Sequence, residues 1–202
     1  MLSKRLQAIC DFVTPNSKVV DIGADHGLVD IYLTKNKNCQ CLATDISAKS
    51  LEKAKENIKK AGVSVKTLVA DGLEGIELTD ETLIISGMGT HTILKILNKK
   101  ITNDLVICTH NKVSLLRKKL QKKGYYIKDE KVIFDKFYYV IGYYKYGQGP
   151  RINNYVSPFL INNIEYMRYL LNKYQIKFIH EKKFLVKLKY HLIIKKIKKH
   201  VK

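Results

Sequence analysis

The chain has no tryptophan, only three prolines, and four cysteines without the paired spacing of a metal site. Cys10, Cys39, Cys41 and Cys108 contain no C-x-x-C pair, so their spacing encodes neither a zinc site nor a dithiol redox motif. Cys39 and Cys41 alternate along a β-rich stretch and would face opposite sides of a sheet. Four buried, reduced thiols, no bound metal and a cytoplasmic setting are expected. No uninterrupted apolar run approaches the length needed to cross a bilayer. The opening MLSKRLQAICDFV mixes charges into its apolar pattern and has no small-residue cleavage site, so it does not read as a signal peptide. Acids are scarce as well, 18 against 37 Lys+Arg, for a formal net charge of +19. That excess implies a polyanionic partner, most simply a nucleic acid. Nearly all the basic residues are lysine, however, and Ile, Asn and Tyr are abundant too. An A+T-rich genome would push any protein in that direction, so composition alone leaves both explanations open.

What is present is a hydrophobic fraction of 46%, enough for a packed core in 202 residues. The length fits one domain, or one domain with a smaller appendage. Residues 151–202 carry 13 Lys+Arg against 2 Asp+Glu, while the first 150 carry 24 against 16. Between them YGQGPRINNYVSP clusters Gly147, Gly149, Pro150 and Pro158 and reads as a linker. Upstream, β-like runs alternate with helical ones. Strands are expected at 18–24, 39–46, 63–70, 82–86 and 104–109, and helices at 27–35, 90–100 and 112–123. A further helix begins after Ser47, a candidate N-cap, and stops at Gly62. YYIKDEKVIF and FYYVIGYYKY then form a hairpin around Asp135 and Lys136. Continuous apolar strands separated by helices predict a mostly parallel sheet covered on both faces. The expected fold is α/β and Rossmann-like, with about seven strands, an antiparallel hairpin at one edge and a C-terminal α-helical appendage. The expected division is 1–150 and 151–202, in a monomer.

The first strand runs into Asp21-Ile-Gly23-Ala-Asp25-His26-Gly27, at the end of the sheet where doubly wound folds bind ligands. A dinucleotide fingerprint would place glycines at 23, 25 and 28, but the chain has Asp25 and Leu28 there. A carboxylate at the middle position obstructs and repels a pyrophosphate, which disfavours NAD and FAD. S-adenosylmethionine has no phosphate and carries a sulfonium and an ammonium that an acid attracts. Gly23 and Gly27 still allow close approach, and His26 is a further contact. Asp45 follows Asp21 by 24 residues and is placed to accept from two ribose hydroxyls. Asp71, at the third strand end, is placed for an adenine amino group. Ile46, Ala70 and Gly72 beside these acids, with Ser86, Gly87 and Met88 at the fourth strand end, complete the expected cofactor set. Any one acid alone would read as a solvated loop residue; three at three successive strand ends do not.

The fourth strand end, Ser86-Gly87-Met88-Gly89, lacks the Asn/Asp-Pro-Pro-aromatic tetrad of enzymes that methylate exocyclic amines of bases. Cys108-Thr109 has the wrong order for a cytosine-C5 nucleophile and lies in an apolar strand, so Cys108 reads as core. LSKRL, DIGADHG, ADGLE, SGMGT and HNK, in that order and followed by a basic tail after SPFL, resemble the bacterial tRNA (adenine-22-N1)-methyltransferase family over nearly the whole chain. The resemblance implies a class I methyltransferase domain with a C-terminal coiled-coil appendage, transferring methyl from S-adenosylmethionine to N1 of an adenine in the tRNA D-arm. Where the family carries Gln-Pro-Asn this chain has Thr109-His110-Asn111, so only Asn111 carries over. The tail is also shorter than the family's.

Adenine N1 presents a free lone pair at neutral pH, so such a site needs orientation more than a base. Asp25 and Asn111 are expected to position the adenine or stabilise developing charge. Met88 and Gly89 would shape its slot, with His26 as a candidate late proton acceptor. Arg5 is a candidate partner for the cofactor carboxylate, and His110 sits at the rim. In the tail, Phe159, Ile164, Met167, Leu171, Tyr174 and Phe178 form one apolar stripe; Leu185, Leu188, Leu192 and Ile193 form a second. Two helices folded back with a turn near 174–183 would bury both. Arg117, Arg151, Arg168, Lys182 and Lys183 are the expected RNA-backbone contacts, in preference to a membrane surface. A methyltransferase for another RNA or a small molecule, and a non-catalytic RNA-binding protein, are the competing readings.

Overall fold

A computed structural model of the chain describes residues 2–201; the outermost residues of the expected division, 1 and 202, lie outside them. Seven strands and seven helices follow one another as α1 (Lys4–Asp11), β1 (Lys18–Ile22), α2 (Leu28–Lys37), β2 (Gln40–Asp45), α3 (Ala48–Ala61), β3 (Lys66–Val69), β4 (Thr82–Ile85), α4 (Thr90–Ile96), β5 (Leu105–Thr109), α5 (Val113–Lys122), β6 (Tyr125–Asp135), β7 (Phe137–Tyr146), α6 (Ile164–His180) and α7 (Phe184–Lys198). The strands form one sheet in the order β3-β2-β1-β4-β5-β7-β6, with β7 antiparallel to both neighbours and every other pairing parallel. This is the Rossmann-like arrangement with an antiparallel edge that the alternating pattern predicts. The order in which strands are added reverses between β1 and β4, so the ends of those strands open onto the crevice where such sheets bind ligands.

The order follows from the sequence. LVICT in β5 is buried at every position, and β4 is nearly so, because both strands are central and covered on two sides. Ile93, Leu97, Leu116 and Leu120 of the α4 and α5 regions pack on Val20, Ile22, Leu83 and Ile107. Ala8, Ile9, Val29 and Leu33 of α1 and α2 pack on Val19, Ile84, Val106 and Cys108 on the opposite face. All four cysteines are buried free thiols, and burial raises Cys10 to about 12 and Cys108 to about 11. Among the described residues, no group of acids, histidines and cysteines could hold a metal ion, and no helix is long and apolar enough to cross a membrane.

Local signals set the helix ends. Ser47 Oγ accepts from the Ser50 amide and starts α3, and Gly62 stops it in the left-handed region at φ +65°. α4 ends at Ile96, short of the expected Lys100. α1 was not foreseen as a helix; Ser3 Oγ caps it through the Leu6 amide. The tail is a hairpin whose turn, at Glu181–Lys183, lies at the late end of the range read from the sequence. Val156, Leu160, Tyr166, Met167, Ile193 and Ile197 share a buried cluster with Val140 of β7, so the hairpin is packed onto the outer part of the sheet.

Candidate active site

At the end of β1 the chain turns through three left-handed residues, Gly23 (φ +77°), Asp25 (φ +51°) and Gly27 (φ +66°). The left-handed backbone favours glycine at 23, and a Cβ there would displace the Met88 methyl. At 27 a Cβ would meet Ala54 of α3 at 3.2 Å. Asp25 has no such freedom and occupies a backbone state uncommon for a side-chain-bearing residue. What holds it is Asp45, whose Oδ2 accepts from the Asp25 amide at 3.2 Å while Oδ1 accepts from the Ser47 amide at 2.9 Å. The residue expected to hold ribose thus also fixes the loop bearing Asp25. The Asp25 carboxylate and His26 Nε2 lie 3.5 Å apart and both side chains are more than half exposed, at the open end of the sheet.

Parallel pairing sets the ends of β1, β2 and β3 side by side. Asp71 is exposed just past β3, and the Ala70 amide donates to the Asp45 carbonyl at 3.0 Å. Ile46 and Val69 are 68% and 55% exposed, an uncommon state for aliphatic residues, and they flank the two acids. An apolar patch bordered by carboxylates suits an aromatic ring bearing hydroxyl and amino groups. Gly72 is held in the left-handed region against Ile96. Ser86 and Gly87 form the turn after β4, and Met88 closes toward Gly23.

Asn111 lies beyond β5. Its side-chain Oδ1 accepts from the Thr90 amide at 3.1 Å, and Thr90 Oγ1 donates to the Asn111 carbonyl at 2.6 Å. Asn111 therefore caps α4 in trans, since Gly89 at the N-cap position has no side chain to do so. The oxygen is committed, and its amide Nδ2, facing Gly89, remains as the donor. Thr90, buried and bonded to Asn111, escaped the sequence reading; a threonine straight after Gly-Met-Gly was its signal. His110 is exposed and stacks on Phe137, with ring centroids 5.5 Å apart.

Three expected residues take other places. Asp21 is only 3% exposed and lies beneath the loop with its carboxyl against that of Asp30, which α2 buries completely. Burial, then the neighbouring Asp30, raises Asp21 well above the usual carboxylate range, and burial raises Asp30 to about 7. Asp21 Oδ1 and both Asp30 oxygens lack hydrogen-bond donors, so the pair shares protons instead of facing the open rim. Arg5, expected at a cofactor carboxylate, lies 4.9 Å over the Tyr139 ring of β7. It is close to Cys108 of β5, two strands from the β1 loop. Arg117 was expected to contact RNA, yet it is 2% exposed and grips Glu130 through two bonds of 2.8 Å. An amphipathic helix buried on a sheet leaves such a side chain no route to solvent, so it needs an internal counter-ion. Arg151, Arg168, Lys182 and Lys183 are exposed.

A family model described as a methyltransferase domain matches residues 2–141. The chain belongs to that family. Among relatives of this methyltransferase, the tRNA (adenine(22)-N(1))-methyltransferase of Bacillus subtilis is 29% identical over 141 residues, 65% of this chain and 59% of the relative's length. M. capricolum TrmK, solved with S-adenosyl-homocysteine, superposes with a TM-score of 0.83 at 28% identity, covering 99% of this chain and 97% of that one. A Streptococcus agalactiae protein of the NADB-Rossmann superfamily gives 0.85 at 26% identity, covering 100% and 98%.

Proposed function

We propose that this methyltransferase uses S-adenosylmethionine to methylate N1 of adenine 22 in the D-arm of tRNA, in the cytoplasm and as a monomer. The observation that carries the reading is the composition of the rim. Carboxylates end β1, β2 and β3, an amide side chain follows β5, and no described metal group lies among them. The Bacillus subtilis relative, a tRNA (adenine(22)-N(1))-methyltransferase, supports the same substrate, and the M. capricolum TrmK solved with S-adenosyl-homocysteine supports the cofactor.

S-adenosylmethionine, when bound, supplies an electrophilic methyl on a sulfonium. Gly23, Asp25, His26 and Gly27 would hold its methionine part, and the exposed acid of Asp25 favours positive charge there. Asp45 would take the ribose. Asp71, with Ile46, Ala70 and Gly72, would take the adenine, and Ser86, Gly87 and Met88 would close the slot. On the substrate side, Gly89 leaves room beside the Asn111 Nδ2, a donor aimed at the slot. Positive charge passes from the sulfonium to the adenine ring during transfer, and Asp25, beside both, would favour the cation throughout. No side chain has to take a proton before attack; His26 is placed only to receive one later. N1 is occupied in a base pair, so the adenine must be unpaired or extruded first. Residues 1–150 would carry the chemistry. Residues 151–202, with Arg151, Arg168, Lys182 and Lys183, would carry the RNA grip.

Incubation with methyl-labelled S-adenosylmethionine and unmodified tRNA transcripts, followed by mapping of the modified nucleotide, tests this reading. Label at N1 of the D-arm adenine is expected. Label at a guanine or cytosine, or none in any tRNA, sinks it.

A further inference from the structure

A cleft of about 280 Å³ opens where the β5–α5 loop, the start of β7 and α6 meet. His110 and Asn111 line it, so its mouth adjoins the candidate active site one strand beyond the Met88 turn. No carboxylate lines it; Arg117 in its floor is already neutralised by Glu130. Four ammonium groups gather around it. Lys173 lies 5.4 Å over the Tyr169 ring, Lys177 lies 5.7 Å over Tyr174, and Lys189 lies 5.6 Å over Tyr155. Lys112 also lines the cleft, with its ammonium 2.7 Å from His91 Nε2, a contact that leaves its charge uncompensated. Burial, then repulsion from Lys173, Lys112 and Lys189, lowers the Lys177 ammonium. None of the four has an acid partner among the described residues.

Uncompensated cations beside a partly exposed tyrosine wall suit one ligand chemistry, a phosphate attached to a flat ring. Tyr138 and Tyr169 supply the wall, with ring centroids 4.8 Å apart and Tyr169 38% exposed. Asn154 lines the cleft, its main chain pinned by Arg117 at 3.1 Å, and its buried side-chain oxygen has no partner. A fixed amide end without a partner is a place to read a base edge. The volume suits one nucleotide and not a duplex.

We propose that this cleft binds an unpaired nucleotide of the tRNA substrate next to the target adenine, with its phosphate on Lys112, Lys173 and Lys177 and its base against Tyr169. The assignment rests on the tRNA reading above and extends it. Seating a neighbour in this cleft would hold the strand open while the adenine enters the slot at Met88 and Asn111, so the lysines and tyrosines act as positioning residues.

The test compares full-length wild type, K173A/K177A, Y169A and a charge-matched control, K59A/K60A, on the remote helix α3. Binding of unmodified tRNA is followed by fluorescence anisotropy over a KCl series, S-adenosylmethionine binding by calorimetry, and turnover by methyl transfer. In K173A/K177A the slope of log affinity on log salt should fall in size by about 0.7–0.9, the share of the one phosphate they hold. KM for tRNA should rise at least about tenfold against a much smaller change in kcat. Y169A should weaken tRNA binding about 5- to 150-fold with its salt slope kept. Cofactor affinity should match wild type in both, and the melting temperature of K173A/K177A should be no lower than that of wild type. Cleft variants that follow K59A/K60A in slope and KM overturn the proposal, as does a wild type that binds no RNA. A wild type that binds tRNA but methylates no adenine refutes the enzymatic reading alone, and the binding arm still decides the cleft.

Discussion

Asparagine at position 30 should stabilise this protein at alkaline pH and leave it nearly unchanged in acid. Asp30 is fully buried at the start of α2 against Asp21, and three of their four carboxyl oxygens lack a hydrogen-bond donor. Burial raises Asp30 to about 7. In an unfolded chain the same group loses its proton near 4. Between these values the folded protein binds more protons than the unfolded one. The contribution is therefore fully present below about pH 4 and is lost as pH rises through about 7. Three units at about 1.36 kcal/mol each set a ceiling near 4 kcal/mol, and because the two acids share protons the loss belongs to the pair. Asparagine keeps the volume, carries no charge at any pH and offers Asp21 an N–H donor. Urea denaturation should find D30N more stable than wild type by roughly 2–4 kcal/mol at pH 8, or about 4–16 °C in Tm, and within about 1 kcal/mol at pH 4.5. Parallel pH profiles for the two proteins, or a D30N protein weaker at pH 8, would refute the shared-proton account.

Three further substitutions examine other parts of the argument. Asp45→Ala removes both the proposed ribose acceptor and the bonds to the Asp25 and Ser47 amides, so calorimetry should show cofactor affinity lower by about 2–4 kcal/mol. Unchanged affinity contradicts the assignment. Gly23→Ala places a Cβ against the Met88 methyl in a left-handed turn and should cost roughly 1–2 kcal/mol of stability. It should also give a larger loss of cofactor binding, and a variant that binds normally would show that Met88 simply moves aside. Arg117→Met should cost about 3–5 kcal/mol by leaving Glu130 buried without its partner. R117M/E130M should recover most of that in urea denaturation, and no recovery would mean the guanidinium is needed for packing and for Asn154.

The features legible in the sequence are those decided within a few residues. Ser47 and Gly62 mark α3 because a cap acts on its own helix end, and LIIS and LVIC mark central strands because burial on both faces removes alternation. Glycine spacing with Asp25 marked the first loop. Partnerships made across the fold were not legible. Arg117 looks like one more basic residue on a basic chain until β6 brings Glu130 beneath it. Asp30 looks like a helix surface acid, and only the packing of α2 on β1 sets it against Asp21. Asn111 was found through resemblance, but its bond to Thr90 joins two loops 21 residues apart, and sequence spacing says nothing of that.

The same distinction bears on the lysines. Drift in nucleotide composition would scatter lysine without regard to what lies opposite. Within residues 1–150, five lysines pair with acids: Lys18 with Asp80, Lys53 with Glu56, Lys55 with Glu52, Lys131 with Asp11 and Lys145 with Asp104. Around the cleft beside His110 and Asn111, three lysines lie over tyrosine rings and Lys112 lies against His91, none with an acid partner among the described residues, and Lys177 is partly desolvated. A surface under no selection for an anion has no reason to keep that arrangement, because each like charge added to a low-dielectric cleft costs stability. One acid introduced at an exposed cleft position would relieve the repulsion. Its absence there, on a chain that supplies acids elsewhere, favours an anionic ligand over composition as the cause. Asp25, Asp45 and Asp71 gather the opposite charge at the neighbouring strand ends. The rim therefore runs from negative to positive along the sheet, the order that the proposed cofactor and nucleotide sites call for.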